Sequence, residues 1–156
     1  MDFSSRITGI KELNKTLAKI PRSSQRKVYM KALRAGAKPV KDAATANIKR
    51  VSDKYTGVLA LKSSVAIYNG KKRRGNYRVL VHIRRGLINK KVVAFGKKPV
   101  RVGLYASVLE YGSAKLNRRP RSWIRKSIRE EKGAAVDALR REFSTRLDEA
   151  VKDARI

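Results

Sequence analysis

Apolar residues recur along this chain at two different periods, and the change of period divides it. Ile10, Leu13, Leu17 and Ile20 fall at helical spacing, so residues 9–20 read as a short amphipathic helix that Pro21 stops. A second stripe runs Tyr29, Leu33, Gly36/Ala37, Val40, Ala44 and Ile48 in steps of three and four, with Ser23 or Ser24 available as a cap. Pro39 lies inside that stripe; it removes a backbone donor and crowds the preceding turn, which predicts a kink or break near residues 35–39. Ala32, Ala35, Gly36, Ala37, Ala43, Ala44 and Ala46 are small enough to let another helix or a sheet approach closely.

From Gly57 to Gly112 the period becomes that of strands. The candidates are Val58–Tyr68, Tyr77–Arg84, Lys91–Phe95 and Val102–Tyr111. In the second, Tyr77, Val79, Val81 and Ile83 alternate with Arg78, Leu80, His82 and Arg84, the pattern of a half-buried strand. A long helical pattern then runs from about Ser122 to Ala154. Ile124, Ile128, Ala135, Leu139, Phe143, Leu147, Ala150, Val151 and Ala154 share one face of it. Strands in the middle and helices at both ends predict an α+β fold. It has two N-terminal helices, a central, mostly antiparallel sheet of about four strands and one long C-terminal helix. Residues 1–156 are expected to form a single domain, with helices about 9–50, strands about 57–112 and the long helix about 122–154.

Charge changes the picture most. The chain carries 40 basic and 12 acidic residues, a net +28, and the imbalance is uneven. Residues 1–129 hold 34 basic against 5 acidic residues; residues 130–156 hold 6 against 7. A nearly neutral last helix therefore follows a strongly cationic body. Self-repulsion on that scale calls for counter-charge, so DNA, RNA or an acidic protein surface is the expected partner. There is no cysteine, hence no disulfide and no thiolate chemistry. No apolar run is long enough to span a bilayer. The first ten residues lack the basic-then-apolar pattern of a secretory signal, so a soluble, non-exported protein is expected.

Catalysis has little to stand on. His82 is the only histidine and sits in an alternating strand; Glu110 is the only carboxylate across the strand region, best placed to make an ion pair or cap the turn at Gly112. No Cys/His cluster, phosphate loop or carboxylate pair is present, so neither enzyme activity nor a cofactor or metal is expected. The candidate contact residues are cationic. Lys71, Lys72, Arg73 and Arg74 occupy a hairpin tip bounded by Gly70 and Gly75; Arg84, Arg85, Lys97 and Lys98 fall in shorter turns; Arg118, Arg119 and Arg121 precede the last helix. No aromatic stacking platform accompanies them, so contact with DNA would go to the backbone. Trp123, at the entry to the last helix, reads as a packed anchor.

Five short motifs, in order, resemble one family. Gly9-Ile10-Lys11-Glu12-Leu13 is similar to its opening helix, and Ala37-Lys38-Pro39-Val40 to a step in its second helix. Thr56-Gly57-Val58-Leu59 is similar to its Thr-Gly-x-Leu turn. Tyr105-Ala106, with Glu110-Tyr111-Gly112-Ser113, is similar to its Tyr-Ala…Glu-aromatic-Gly signature. Pro120-Arg121-Ser122-Trp123-Ile124 resembles a stretched form of its entry to the last helix. The family is that of the small neck, or tail-completion, proteins at the head–tail junction of long-tailed bacteriophages. Two departures stand out: Ser63-Ser64 sits later than the family's serine, and the proline usual one turn into the last helix is missing.

The resemblance implies a structural virion protein that works in the host cytoplasm during assembly and in the virion neck afterwards. Its implied partners are copies of itself in a ring, adjacent neck, portal-side and tail proteins, and DNA passing through the lumen, with no membrane. Two alternatives stay open: a tail terminator that caps the tail tube, and a free basic nucleic-acid-binding protein.

Overall fold

The computed structural model describes residues 17–51, 64–71, 76–88, 90–94 and 98–153, with backbone alone at 92–94 and 98. Of the expected first helix, Leu17–Lys19 is described and helical; the rest lies outside the described residues. Leu17 and Ile20 are buried, and the Gln25 side-chain amide donates to both of their carbonyls (2.7 and 2.8 Å), pinning this turn against the next helix.

Helix α1 spans Arg22–Val51 and is continuous through Pro39, so of the expected kink or break the break does not occur. It starts a little before Ser23 and Ser24, with Gln25 N–H donating to the Pro21 carbonyl (3.0 Å), so neither serine is the cap. Its buried residues are Val28, Ala32, Gly36, Ala44, Asn47 and Ile48. In the first half that face is displaced by one position from the stripe read off the sequence. Two neighbours explain the displacement, because α1 packs both on a β-hairpin and along the last helix.

That hairpin is β1 (Val65–Asn69) with β2 (Val79–Ile83), antiparallel with Val65 opposite Ile83 and Asn69 opposite Val79. The predicted alternation holds from Tyr77 to Arg84, odd positions inward and even positions outward. A one-turn helix, α2 (Arg85–Ile88), stands where a cationic turn was expected. Then β3 (Lys91–Ala94) pairs antiparallel with β4 (Lys98–Arg101). Lys98 and Pro99 were expected in a turn; Pro99 is tolerated because a two-stranded ladder has only edge strands. Among the described residues the strands thus form two separate two-stranded sheets in place of one sheet of about four; positions 58–63 and 95 of the expected strands lie outside those residues.

The largest correction concerns Val102–Tyr111, which is helix α3 and not a strand. Its two valines and two tyrosines favour a strand locally, while its two leucines, Ala106 and Glu110 favour a helix. The buried positions Val102, Tyr105, Ala106, Val108 and Leu109, however, recur in steps of three and four when packing is counted, and tertiary burial overrides propensity. Helix α4 (Ile124–Asp153) agrees with the expected long helix. It lies antiparallel to α1: Gly36 meets Ala135 and Leu139, and Asn47 Nδ2 donates to Ser127 Oγ (2.9 Å) and Glu130 Oε2 (3.1 Å).

The core sits at one end of this helix pair. Ala44 and Ile48 of α1 meet Val65, Ile83 and Leu87, the α3 residues Val102, Tyr105, Ala106 and Leu109, and Trp123. At the other end Tyr29 stacks on Tyr77 (5.4 Å between ring centres) and tilts against Phe143 (5.5 Å), joining α1, the hairpin and α4 through one ring. Along α4 itself burial is thin. Ser127 is its one buried described residue, Leu139, Phe143, Leu147 and Val151 are half-buried, and Ile128, placed on the core face by its spacing, is 51% exposed.

Gly36 marks the closest approach of the two long helices. A Cβ there would lie 2.9 Å from the Ala135 carbonyl oxygen and 2.9 Å from Leu139 Cβ, so backbone would have to move. Gly133, by contrast, has open space around its missing Cβ. Gly36→Ala should therefore lower the melting temperature although alanine is the better helix former, whereas Gly133→Ala should raise stability by about 0.8–1 kcal/mol. Denaturant melts of the two variants check the pair; equal stabilisation would show that the helices do not meet at Gly36.

Candidate functional site

The carboxylate of Glu110 organises the segment that links α3 to α4. Glu110 ends a run of buried positions on α3 and is itself 2% exposed. Its Oε2 accepts the Trp123 N–H (2.7 Å) and the Ile124 N–H (2.9 Å); Oε1 accepts the Arg125 N–H (3.3 Å) and the Arg125 guanidinium Nε–H (2.7 Å). The first backbone donors of a helix have no partner within it. Helix α4 has no acid in its own first turn, and Glu110, from a different helix, supplies the missing acceptor. Negative charge at this end also complements the helix dipole. Both sequence alternatives put Glu110 in local roles; the structure confirms an ion pair, with Arg125, but the cap serves α4 and not the Gly112 turn.

Trp123 completes the joint. It is buried, and its indole Nε1–H donates to the Ala106 carbonyl (3.0 Å), so Ala106, Glu110 and Trp123 of the signature meet around one spot. Tyr105 is fully buried beneath them, whereas Tyr111 is 68% exposed with the Arg125 guanidinium 5.4 Å from its ring centre. Gly112 has φ +77°, a left-handed value, and a Cβ there would come within 2.8 Å of the Arg118 carbonyl oxygen and 3.0 Å of Pro120. Only glycine satisfies both demands.

Beyond Gly112 the basic segment is folded back on itself. Ser113 and Arg118 exchange two backbone hydrogen bonds of 2.9 Å, closing a four-residue loop in which Asn117 takes φ 46°. Arg121 N–H then donates to the Leu109 carbonyl (2.7 Å), which returns the chain to the joint. Arg118, Arg119 and Arg121 are all exposed on this loop. Elsewhere the candidate cations are spread out. Lys71 is exposed just beyond β1. Arg84 and Arg85 are exposed past the opposite end of the β1–β2 ladder, where the Arg85 N–H donates to the Tyr68 hydroxyl (2.7 Å) and its guanidinium lies 4.8 Å from that ring's centre. Lys98 opens β4. Lys72, Arg73, Arg74 and Lys97, with the signature residues Thr56, Gly57 and Leu59, lie outside the described residues.

Sequence reasoning missed Arg125 and the Asn47–Ser127 contact. The available signal was the isolation of Glu110: one acid among cations, next to a helix whose first turn carries no acid. Chemically, the joint is consumed by structure. Glu110 has every oxygen engaged, and His82 is an exposed strand residue whose Nδ1 lies 3.0 Å from the Ile83 carbonyl. Among the described residues no group of three His, Cys, Asp or Glu side chains could hold a metal ion, and no helix is long and apolar enough to cross a membrane.

Burial pushes the Glu110 carboxyl up, but the hydrogen bonds from Ile124 N–H, the Arg125 side chain, Trp123 N–H and Arg125 N–H outweigh it and hold the pKa below its ordinary value. A carboxyl with a lowered folded-state pKa contributes stability above its unfolded pKa, about 4.3 for glutamate. That contribution is lost as pH falls through the folded value. Glu110→Gln should accordingly lower stability at pH 7 and make it less pH-dependent below about pH 4.3. Glu110→Ala, which leaves the helix donors bare, should cost about 1–3 kcal/mol. Arg125→Ala should cost less, because that side chain is 55% exposed. Denaturation as a function of pH checks all three; an unaltered acid limb in Glu110→Gln would contradict the cap.

A family model described as "Bacteriophage HK97-gp10, putative tail-component" matches residues 11–112. The match takes in α1, both hairpins and α3, ends on Gly112, and leaves α4 outside it. No curated protein and no solved structure matches the chain. With a family model covering well over half of its residues, the chain belongs to the HK97-gp10-like family of bacteriophage tail components.

Proposed function

We propose that the chain is a structural virion protein of the head–tail junction, which forms or joins a ring at the portal-proximal end of the tail and makes the tail competent to attach to a DNA-filled head. The observation that carries this reading is the tail-component family match over residues 11–112. The ordered neck-type motifs support it. Their best-described member, the Tyr105–Gly112 signature, belongs to a joint that fixes how α4 leaves the body.

The protein acts by binding and not by turnover, with no cofactor. Its charge division suits contact between copies: a cationic body and a last helix of balanced charge give each subunit two unlike surfaces, and closed rings are built from such heterologous contacts. The exposed positions from Lys115 to Arg121 and exposed Lys71 offer charge to adjacent neck, portal-side or tail proteins. Assembly takes place in the host cytoplasm, and the finished protein resides in the virion neck.

Removing the protein from an infecting phage should leave filled heads and tails of normal length that fail to join. Electron microscopy of the lysate reads this directly. Tails of abnormal length would identify a terminator that caps the tube, and normal yields of complete virions would remove the proposal. A narrower test reverses Lys71, Lys72, Arg73 and Arg74 to glutamate. Lys71 is exposed and glycines bound the cationic run in the sequence, a pattern that tolerates substitution. Melting should be unchanged while virion yield falls; unchanged yield would leave the tip a solvated loop.

A further inference from the structure

The cations singled out in turns are not the most ordered basic array on this molecule. Along α1, Lys27, Lys31, Arg34 and Lys38 follow one another at steps of four, three and four, so all four lie on one face, and all four are exposed. They span about 16 Å of helix axis. No acid interrupts them; the next acid, Asp42, is held by Lys41 at 3.0 Å. The row lies between the hairpin and α4. On the hairpin side, Arg34 donates to the Asn69 side chain (2.8 Å), which brings the β1 end and exposed Lys71 beside it. On the other side, Arg141 of α4 lines the same open cleft as Lys38. The α4 acids along this border are largely occupied: Arg146 binds Glu142 and Glu149 at 2.7 Å each, leaving Asp153 beside Lys27 and Lys31. Among the described residues neither Lys27, Lys31 nor Lys38 has an acidic partner within ion-pair distance.

We propose that this outer face of α1 binds the phosphodiester backbone of double-stranded DNA without reading its sequence. Composition chooses DNA over an acidic protein. Protein interfaces are depleted in lysine and anchored by aromatic or aliphatic side chains. Here three of the four cations are lysine, and none of the exposed large apolar residues, Leu80, Leu104, Tyr111, Leu116, Ile128 and Val136, is on α1. Duplex DNA carries one charge per about 1.7 Å of axis, so a duplex lying along the row offers more phosphates than the row has cations. A bare row of charges with no donor–acceptor code is built for that partner. The inference does not depend on the junction reading, since it concerns what the protein binds and not where it sits.

The test measures the affinity of the full chain for two unrelated DNA duplexes over a range of salt. Lys27→Gln, Lys31→Gln, Arg34→Gln and Lys38→Gln are combined in one variant, and a second variant omits Arg34→Gln in case its contact with Asn69 matters to folding. A control removes the same charge from exposed α4 positions: Arg129→Gln, Lys132→Gln, Arg140→Gln and Lys152→Gln. For the α1 quadruple variant the slope of log affinity against log salt should flatten by about 3–4 units, equally for both duplexes, at about 0.9 per lost contact. The triple variant should lose about 2–3 units, and the control less than either. Equal losses in the α1 and α4 variants would reduce the effect to net charge and overturn the proposal. So would a loss of polyglutamate binding that matches or exceeds the loss for DNA, which would point to an acidic protein.

Discussion

One buried carboxylate holds the two halves of this protein in register. Glu110 belongs to α3, yet its hydrogen bonds go to the first residues of α4, and burying it is tolerable only because four donors converge on it. Without it, α4 would begin with bare donors against an apolar floor of Tyr105, Ala106 and Leu109. The surrounding features serve the same constraint. Gly112 lets the chain turn away at the end of α3, the Ser113–Arg118 loop closes on itself, Arg121 returns to Leu109, and Trp123 locks onto Ala106. The family match ends on Gly112, so a carboxylate from the matched region fixes the start of a helix outside it.

The remainder is arranged around α1. Its inner side faces both the β1–β2 hairpin and α4, and small residues set the spacing: Gly36 lets α4 come close at mid-length, while Asn47 and Ser127 fill the crossing near the core. The outer side keeps the cations. A helix that must contact two partners with a wide buried arc leaves a narrow strip for solvent, and from Arg22 to Lys38 that strip is lysine and arginine apart from Ser23. Charge is thereby excluded from the packing and concentrated along a line.

Much of this was legible in the sequence, and the failures have identifiable causes. The alternation from Tyr77 to Arg84 gave β2 its correct inward and outward residues, because a two-residue period survives any packing partner. The long last helix, the close approach at the small residues of α1 and the anchoring role of Trp123 also stood. Val102–Tyr111 is a helix against expectation because its valines and tyrosines hide the helix formers Leu104, Ala106, Leu109 and Glu110, and the three-and-four spacing shows only once Leu104, Ser107 and Tyr111 are seen to face outward. Pro39 failed to break α1, since a helix held on two sides can bear a lost hydrogen bond. The separation of the strands into two pairs could not be read at all, because pairing is decided by neighbours distant in sequence. For the site, the isolation of Glu110 was visible but its target was not.

The thin burial of α4 has a mechanical side. About 45 Å of helix is rooted at one end in the Glu110 joint and held farther along by half-buried contacts and the Tyr29–Tyr77–Phe143 cluster. Because α1 has its own root, Ala44 and Ile48, in the same core, the two helices are anchored together at one end and tied to the hairpin again at the aromatic cluster. A helix of this length rooted at one end alone would swing its tip by about 8 Å for a rotation of about 10°, a sway that the aromatic cluster restrains.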